Sequence, residues 1–217
     1  MHLPSTLVFD AVGTLIRPRE SISAVYQRFA QNHGLELSRE IVKSRFVTAR
    51  SKIFSNAPDQ PSSNEIEKRN WQNLIETVFP ELPNTAPLFQ GLWRYYSLAE
   101  NWQLFPEVPS CLETWETRGH LIVIASNFDE RLIAICQQLE PLHRIEHIFC
   151  SSQLGFSKPD VRFYREIERR LGCRLKSPLM IGDDLEKDVH AAIRAGWQAR
   201  HLDRNRADLN AVLQGAV

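Results

Sequence analysis

The chain carries no excess of either charge. Lys plus Arg and Asp plus Glu number 26 each in 217 residues, so the net charge is zero with neutral histidines. No long-range field draws it to nucleic acid or to an anionic membrane, and no basic run stands in locally for such a field. Long apolar runs are missing too. LIVIA (121–125) falls far short of the roughly 20 residues a membrane-spanning helix needs. The N-terminus enters a strand-like run with no basic lead, apolar core or cleavage site for secretion, so a soluble, cytoplasmic protein is expected, with no membrane or nucleic-acid partner. Cysteine is sparse. Cys111, Cys136, Cys150 and Cys173 form no CxxC pair, which argues against a thiolate metal site, and a disulfide scaffold is equally out of place. Cys136 and Cys150 sit inside apolar runs, as small buried thiols do. His33, His143, His147, His190 and His201 form no ligand-spaced cluster, so no zinc site is assigned. Fixed-period repeats and low-complexity tracts are absent, and a monomer is the default expectation.

What is present is an ordinary globular composition, 43% apolar and 24% charged, long enough for one good-sized domain or for one domain with an insert. The second half repeats one pattern. TWETRG (114–119) runs into HLIVIAS (120–126), IERRLG (167–172) leads to PLMIGD (178–183), and AAIRAG (191–196) leads into WQARHLD (197–203). Each unit is an amphipathic segment with a basic last turn, a glycine suited to the C-cap, and a short β-type run. DERLIAICQQLE (129–140) and PDVRFYREIERRL (159–171) add two helical patterns, with the β-type run HIFCSS (147–152) between them. Helices alternating with strands imply right-handed parallel β-α-β units. With TLVFD (6–10), about five parallel strands are expected.

Residues 17–105 read differently. AVYQRFAQNHG (24–34), REIVKSRFVTARSKIF (39–54), SNEIEKRNWQNLIETVF (63–79) and APLFQGLWRYYSLAEN (86–101) have helical periodicity and contain no convincing strand. Breaks at NAPDQPSS (56–63) and PELPNTAP (80–87) separate them. The expected architecture is α/β: a Rossmann-like three-layer core with a parallel sheet, formed by 1–16 and 106–217, plus an α-helical cap domain over 17–105. Such an insert would lie above the carboxyl ends of the strands, where open α/β sheets keep their sites.

Four segments place a polar group after a β-type run and should meet at one sheet edge. They are Asp10 with Thr14, Ser126 with Asn127, Lys158 in GFSKPD, and Asp183, Asp184 and Asp188 in IGDDLEKD. Each alone has a plain structural explanation: a turn for Asp10, N-caps for Ser126-Asn127 and the GDD turn, a helix entry for Lys158-Pro159. Capping needs alone do not generate all four in this order. Together DAVGT, ASN, SKPD and GDDLEKD resemble, in order, the four motifs of the haloacid dehalogenase-like hydrolases. The resemblance spans nearly the whole chain, since the helical insert is similar to that family's cap.

The resemblance implies a Mg²⁺-dependent phosphatase acting on a small phosphorylated molecule. Asp10 would be a carboxylate nucleophile that forms an aspartyl-phosphate, splitting one hard displacement into two easier ones. Magnesium ligands would be Asp10, the carbonyl of Val12, and Asp183, with Asp188 holding a metal-bound water. Asp184 would cap the helix or orient Lys158. Thr14, Ser126, Asn127 and Lys158 would bind the transferred group, and Ser126, Lys158 and Asp183 complete the catalytic set.

Val12 departs from the pattern. Family phosphatases commonly carry an aspartate there to protonate the leaving group, and valine cannot transfer a proton. General acid–base help is typically worth about 10²–10⁴-fold. Three readings follow: a phosphatase whose leaving group has a low pKa, a 2-haloacid dehalogenase, or a weakly active or inactive relative that binds a phosphorylated ligand. A phosphonate-cleaving enzyme ranks last, because Lys43, Lys52 and Lys68 lack the context of a Schiff-base lysine. The four acids of GDDLEKD argue against the metal-free dehalogenase. In FQGLWRYYSLAENWQLF (89–105), Leu92, Tyr96 and Leu98–Ala99 should pack within the insert while Trp102 and Phe105 anchor its return. Arg17 and Arg19 stand where an anion-steering hinge charge would be useful, and Arg39, Lys43 and Arg50 should form a wet helix face.

Overall fold

Alternation along four short strands decides the architecture. In β1 (Thr6–Phe9), Leu7 and Phe9 face one apolar cluster and Val8 the other. The computed structural model describes residues 5–54, 61–172, 175–176 and 178–215. The sheet also contains β4 (Leu121–Ser126), β5 (His147–Cys150), β6 (Pro178–Gly182) and β7 (Gln198–His201). Ile122 and Ile124 of β4 point with Leu7, whereas Val123 and Ala125 point with Val8; Leu179 and Ile181 of β6 are likewise opposed to Met180. A strand with both faces apolar must be covered twice, and parallel connections supply the helices that do so. The five parallel strands run in the order β5-β4-β1-β6-β7. One face is covered by α5 (Val108–Thr117), α6 (Arg131–Gln138) and α10 (Leu209–Gln214), the other mainly by α8 (Val161–Leu171) and α9 (Ala191–Arg194). The expected three-layer core is present.

Between β1 and α5 lie α1 (Ile22–Gln31), α2 (Arg39–Ile53), α3 (Asn64–Val78) and α4 (Ala86–Tyr95). Ser21, Ser38 and Ser63 start the first three, each hydroxyl accepting from the backbone N–H three residues on. Their buried faces form a separate cluster around Val25, Phe46, Leu74, Val78 and Leu88. The insert therefore has its own core.

Three expectations need correction here. The insert region does contain strands: β2 (Ile16–Pro18) pairs antiparallel with β3 (Trp102–Leu104), Ile16 opposite Leu104. Three residues per strand are too few for periodicity to register. Helix α4 ends at Tyr95, and Leu98 is 41% exposed instead of packed. Trp102 is buried as expected, and Phe105 packs against the sheet cluster. Lys158 does not follow a strand directly, because the short helix α7 (Ser151–Leu154) and a turn intervene after β5.

Insert and core touch along α3 and α4. Asn64 Oδ1 accepts from the Glu130 N–H at 3.2 Å, and Ser62 N–H donates to the Gly155 carbonyl at 3.0 Å. The Arg131 guanidinium lies 3.3 Å from the centre of the Trp93 ring. Cys111, Cys136 and Cys150 are buried; Cys173 and most of the NAPDQPSS break lie outside the described residues. Among the described residues no helix is long and apolar enough to cross a membrane.

Candidate active site

At the carboxyl ends of β1, β4 and β6 the chain gathers three carboxylates and one ammonium. Asp10 follows β1 directly, and its backbone N–H donates to the Ile181 carbonyl at 2.9 Å, extending the sheet by one residue. The chain then turns sharply. The Ala11 carbonyl accepts from the N–H groups of Thr14, Leu15 and Ile16. The Val12 carbonyl accepts from no described residue. Its side chain packs against the sheet cluster. Gly13 has φ +95°, and a Cβ there would lie 2.3 Å from Asp183 Oδ2, so only glycine permits both the turn and the approach. Gly182, in strand conformation, gives the same room to Asp188, whose Cγ would lie 2.2 Å from an added Cβ.

Lys158 is the hub. Its Nζ donates to Asp10 Oδ1 at 2.7 Å, Asp188 Oδ1 at 2.5 Å and the Ala125 carbonyl at 3.0 Å. An ammonium has three N–H donors, so all are engaged. Ser126 Oγ adds a 2.9 Å bond to Asp10 Oδ1, which leaves Oδ2 without a described protein donor. Asn127 locks the lysine's own backbone, since its Nδ2 donates to the Lys158 carbonyl and its Oδ1 accepts the Lys158 N–H. Both ends of that carboxamide hold the Lys158 backbone, and Asn127 also lines the cavity beside the site. Thr14 Oγ1 donates to Asp183 at 3.4 Å.

Only two of the four acids in GDDLEKD face Asp10. Asp183 and Asp188 do, with carboxylate oxygens that lie, together with one of Asp10, all within 4.8 Å of each other. Asp184 settles the alternative left open for it: it caps the π-helical segment Leu185–His190 by accepting from Glu186 and Lys187 N–H, and Asp188, not Asp184, orients Lys158. Glu186 turns outward to His190 and Arg194. A π-helical turn widens the backbone at a functional position.

Electrostatics follow from burial. Burial pushes the Asp10 carboxyl above its ordinary range and Asp183 adds to it, while Lys158 opposes both. Asp188 is raised by burial to about 6, again against the pull of Lys158. Asp183 opens to the mouth of the site, yet partial burial of its carboxylate and the charge of Asp188 raise it also. Burial disfavours the Lys158 ammonium, but Asp10 and Asp188 outweigh it and hold its pKa above the ordinary value. Three carboxylates against one ammonium leave two negative charges uncompensated. That deficit, with an unpartnered carbonyl at Val12, is a donor set for a hard divalent cation.

A cavity of about 130 Å³ adjoins this cluster, between insert and core. Arg50, Phe54 and Trp71 line it from the insert; Phe128, Lys158 and Lys187 line it from the core. Arg50 was expected only on a wet face, and cavity lining by α2 and α3 has no periodic signature in the sequence. Arg17 lies over the Phe105 ring at 5.1 Å.

A twisted parallel sheet with a carboxylate nucleophile candidate at its carboxyl edge defines a class of α/β hydrolases. The haloacid dehalogenase-like hydrolase model matches residues 4–196, and the chain belongs to that family. It is 27% identical over 199 residues to the human haloacid dehalogenase-like hydrolase domain-containing protein 3, covering 89% of this chain and 79% of that protein. It is 26% identical over 164 residues to a glyceraldehyde 3-phosphate phosphatase of Methanothermobacter thermautotrophicus, covering 66% of this chain and 70% of the other. Among solved structures, the magnesium-bound HAD-hydrolase YfnB of Bacillus subtilis superposes with a TM-score of 0.72 at 18% identity, covering 94% and 91% of the two chains.

Proposed function

We propose that this chain is a Mg²⁺-dependent phosphatase of small phosphorylated molecules that works through an aspartyl-phosphate on Asp10. The observation that carries the reading is the convergence of Asp10, Asp183 and Asp188 on one buried lysine. Residues 1–16 and 106–217 act as the core and 17–105 as its cap, with the β2–β3 ribbon as the hinge. Asp10, the Val12 carbonyl and Asp183 would hold the cation directly, with Asp188 behind them. Bound there, it supplies charge neutralisation between the Asp10 carboxylate and the incoming phosphate.

The chain's own residues do the rest. Lys158 and Ser126 pin Asp10 through Oδ1, so the carboxylate is presented in one orientation. An Asp10 oxygen attacks phosphorus, the bond to the leaving oxygen breaks, and that oxygen departs with the electron pair. Water then attacks the phosphorus, releasing inorganic phosphate and restoring the Asp10 carboxylate. No carboxyl at position 12 protonates the leaving oxygen. Leaving groups of low pKa, in aryl phosphates, acyl phosphates or phosphoanhydrides, are therefore the preferred substrates, and the cavity walls Phe54, Trp71 and Phe128 suit a flat leaving group.

The test compares para-nitrophenyl phosphate with a sugar phosphate, with and without Mg²⁺. Aryl turnover should exceed sugar-phosphate turnover by about 10²-fold or more, and EDTA should abolish it. Val12→Asp should raise sugar-phosphate turnover more than aryl turnover. Equal activity on both substrates in the parent chain would sink the leaving-group reading. Metal-independent release of halide from a 2-haloacid would establish the dehalogenase alternative instead.

A further inference from the structure

Arg204 stands in the turn after β7, beyond residue 196 where the family match ends. Two distant parts of the chain meet on its guanidinium. Nε donates to the Gly13 carbonyl at 3.3 Å, and one terminal nitrogen donates to the Thr14 carbonyl. The other terminal nitrogen pairs with Glu107 Oε1. The group also lies 3.7 Å from the centre of the Phe105 ring. Its side chain is 19% exposed, so this is no loose surface pair.

The partners are informative. Gly13 and Thr14 belong to the loop that carries Asp10, and Thr14 reaches across to Asp183. Phe105 and Glu107 come directly after β3, the strand by which the insert returns, and the Phe105 N–H donates to the Leu15 carbonyl. Apart from these contacts the loop is closed largely on one acceptor, the Ala11 carbonyl. A planar fork reaches two adjacent carbonyls and a carboxylate in one fixed plane while stacking on Phe105, a geometry that the compact ammonium of a lysine does not offer.

We propose that Arg204 is a positioning residue, which clamps the nucleophile loop by the Gly13 and Thr14 carbonyls and ties that loop to the return strand of the insert. It touches no reacting atom. Its effect on turnover rests on the phosphatase reading above, but its effect on the loop does not.

The test uses the full chain as Arg204→Ala and Arg204→Lys, with Arg206→Ala as the neighbouring control, since Arg206 is exposed and, among the described residues, pairs with Asp203. Hydrogen exchange of residues 12–16 and 103–107 should accelerate about tenfold in both Arg204 variants and stay unchanged in the control. With para-nitrophenyl phosphate and Mg²⁺, kcat should fall about tenfold with KM within about twofold. Guanidinium ion added at millimolar levels should recover part of that loss in Arg204→Ala alone. Unchanged exchange in residues 12–16 overturns the proposal whatever the activity does. Accelerated exchange in the Arg204 variants, with no phosphatase activity in the parent chain, upholds the clamp and removes the phosphatase reading. Should Arg204→Ala fail to fold, Arg204→Lys, which keeps the charge and loses the fork, decides by the same exchange measurement.

Discussion

The sheet edge and the helical insert solve opposite problems. At the sheet edge, Asp10, Asp188 and Lys158 are buried charges, each held by several partners, and two glycines are obligatory because side chains already occupy the space a Cβ would need. In the insert the buried residues are mostly apolar, with Ser62, Glu67 and Thr85 as buried polar residues, and only a few side chains reach toward the cavity. A buried ion cluster tolerates little, because removing one partner strands another charge. An apolar helical core tolerates rearrangement as long as volume is kept. On the proposed function, the chemistry would be concentrated where substitution is most damaging, and recognition of the leaving group where change is cheapest.

This contrast can be broken or sharpened by mutation. Asp10→Asn should reduce para-nitrophenyl phosphate turnover by at least about 10⁴-fold while the folded chain persists, as circular dichroism would check. Lys158→Met should lower kcat about 10²–10³-fold and cost about 3–5 kcal/mol of stability, because Asp10 and Asp188 lose their shared partner; urea unfolding measures the second effect. Trp71→Ala, on the insert side, should raise KM up to about tenfold and leave kcat within about twofold. An insert substitution that silenced kcat as fully as Lys158→Met would abolish the distinction.

The smallest effect concerns Glu67 of α3, which is buried against the core and accepts from Ser62 Oγ at 2.9 Å. Burial, reinforced by Asp129, raises its carboxyl pKa above the ordinary 4.5 against the pull of Ser62. A raised folded-state pKa means the favourable contribution is present below the unfolded value and is lost as pH rises through the folded one. Glu67→Gln should therefore match the parent in thermal unfolding near pH 4 and exceed it near pH 7. A stability gap that widens toward acid would contradict the assignment.

Much of this was legible in the residues. The repeated helix-glycine-strand pattern marked the parallel core because period and punctuation agree over long segments. Asp10, Ser126 and Asp183 could be placed at the sheet edge because each ends an apolar run, whereas Lys158 was picked out by its SKPD context alone. Strands β2 and β3 were not legible, as three residues carry no period and their pairing spans most of the insert. Among the acids of GDDLEKD, the choice for Asp184 between capping and orienting Lys158 stayed open in the sequence, and the structure places it as the cap. That the Asn127 amide also holds the Lys158 backbone was not legible, because the two residues lie 31 positions apart in the chain. Arg204 has no local signal at all; its partners lie nearly 100 residues or more away along the chain.

The ribbon of β2 and β3 brings the two ends of the insert side by side, Ile16 opposite Leu104. Neighbouring strands of this kind stand only about 5 Å apart, so nearly 90 residues leave and re-enter the sheet domain through one narrow doorway. Whatever is bounded by that doorway can be lengthened, exchanged or pruned to a short turn without re-registering a single strand of the sheet.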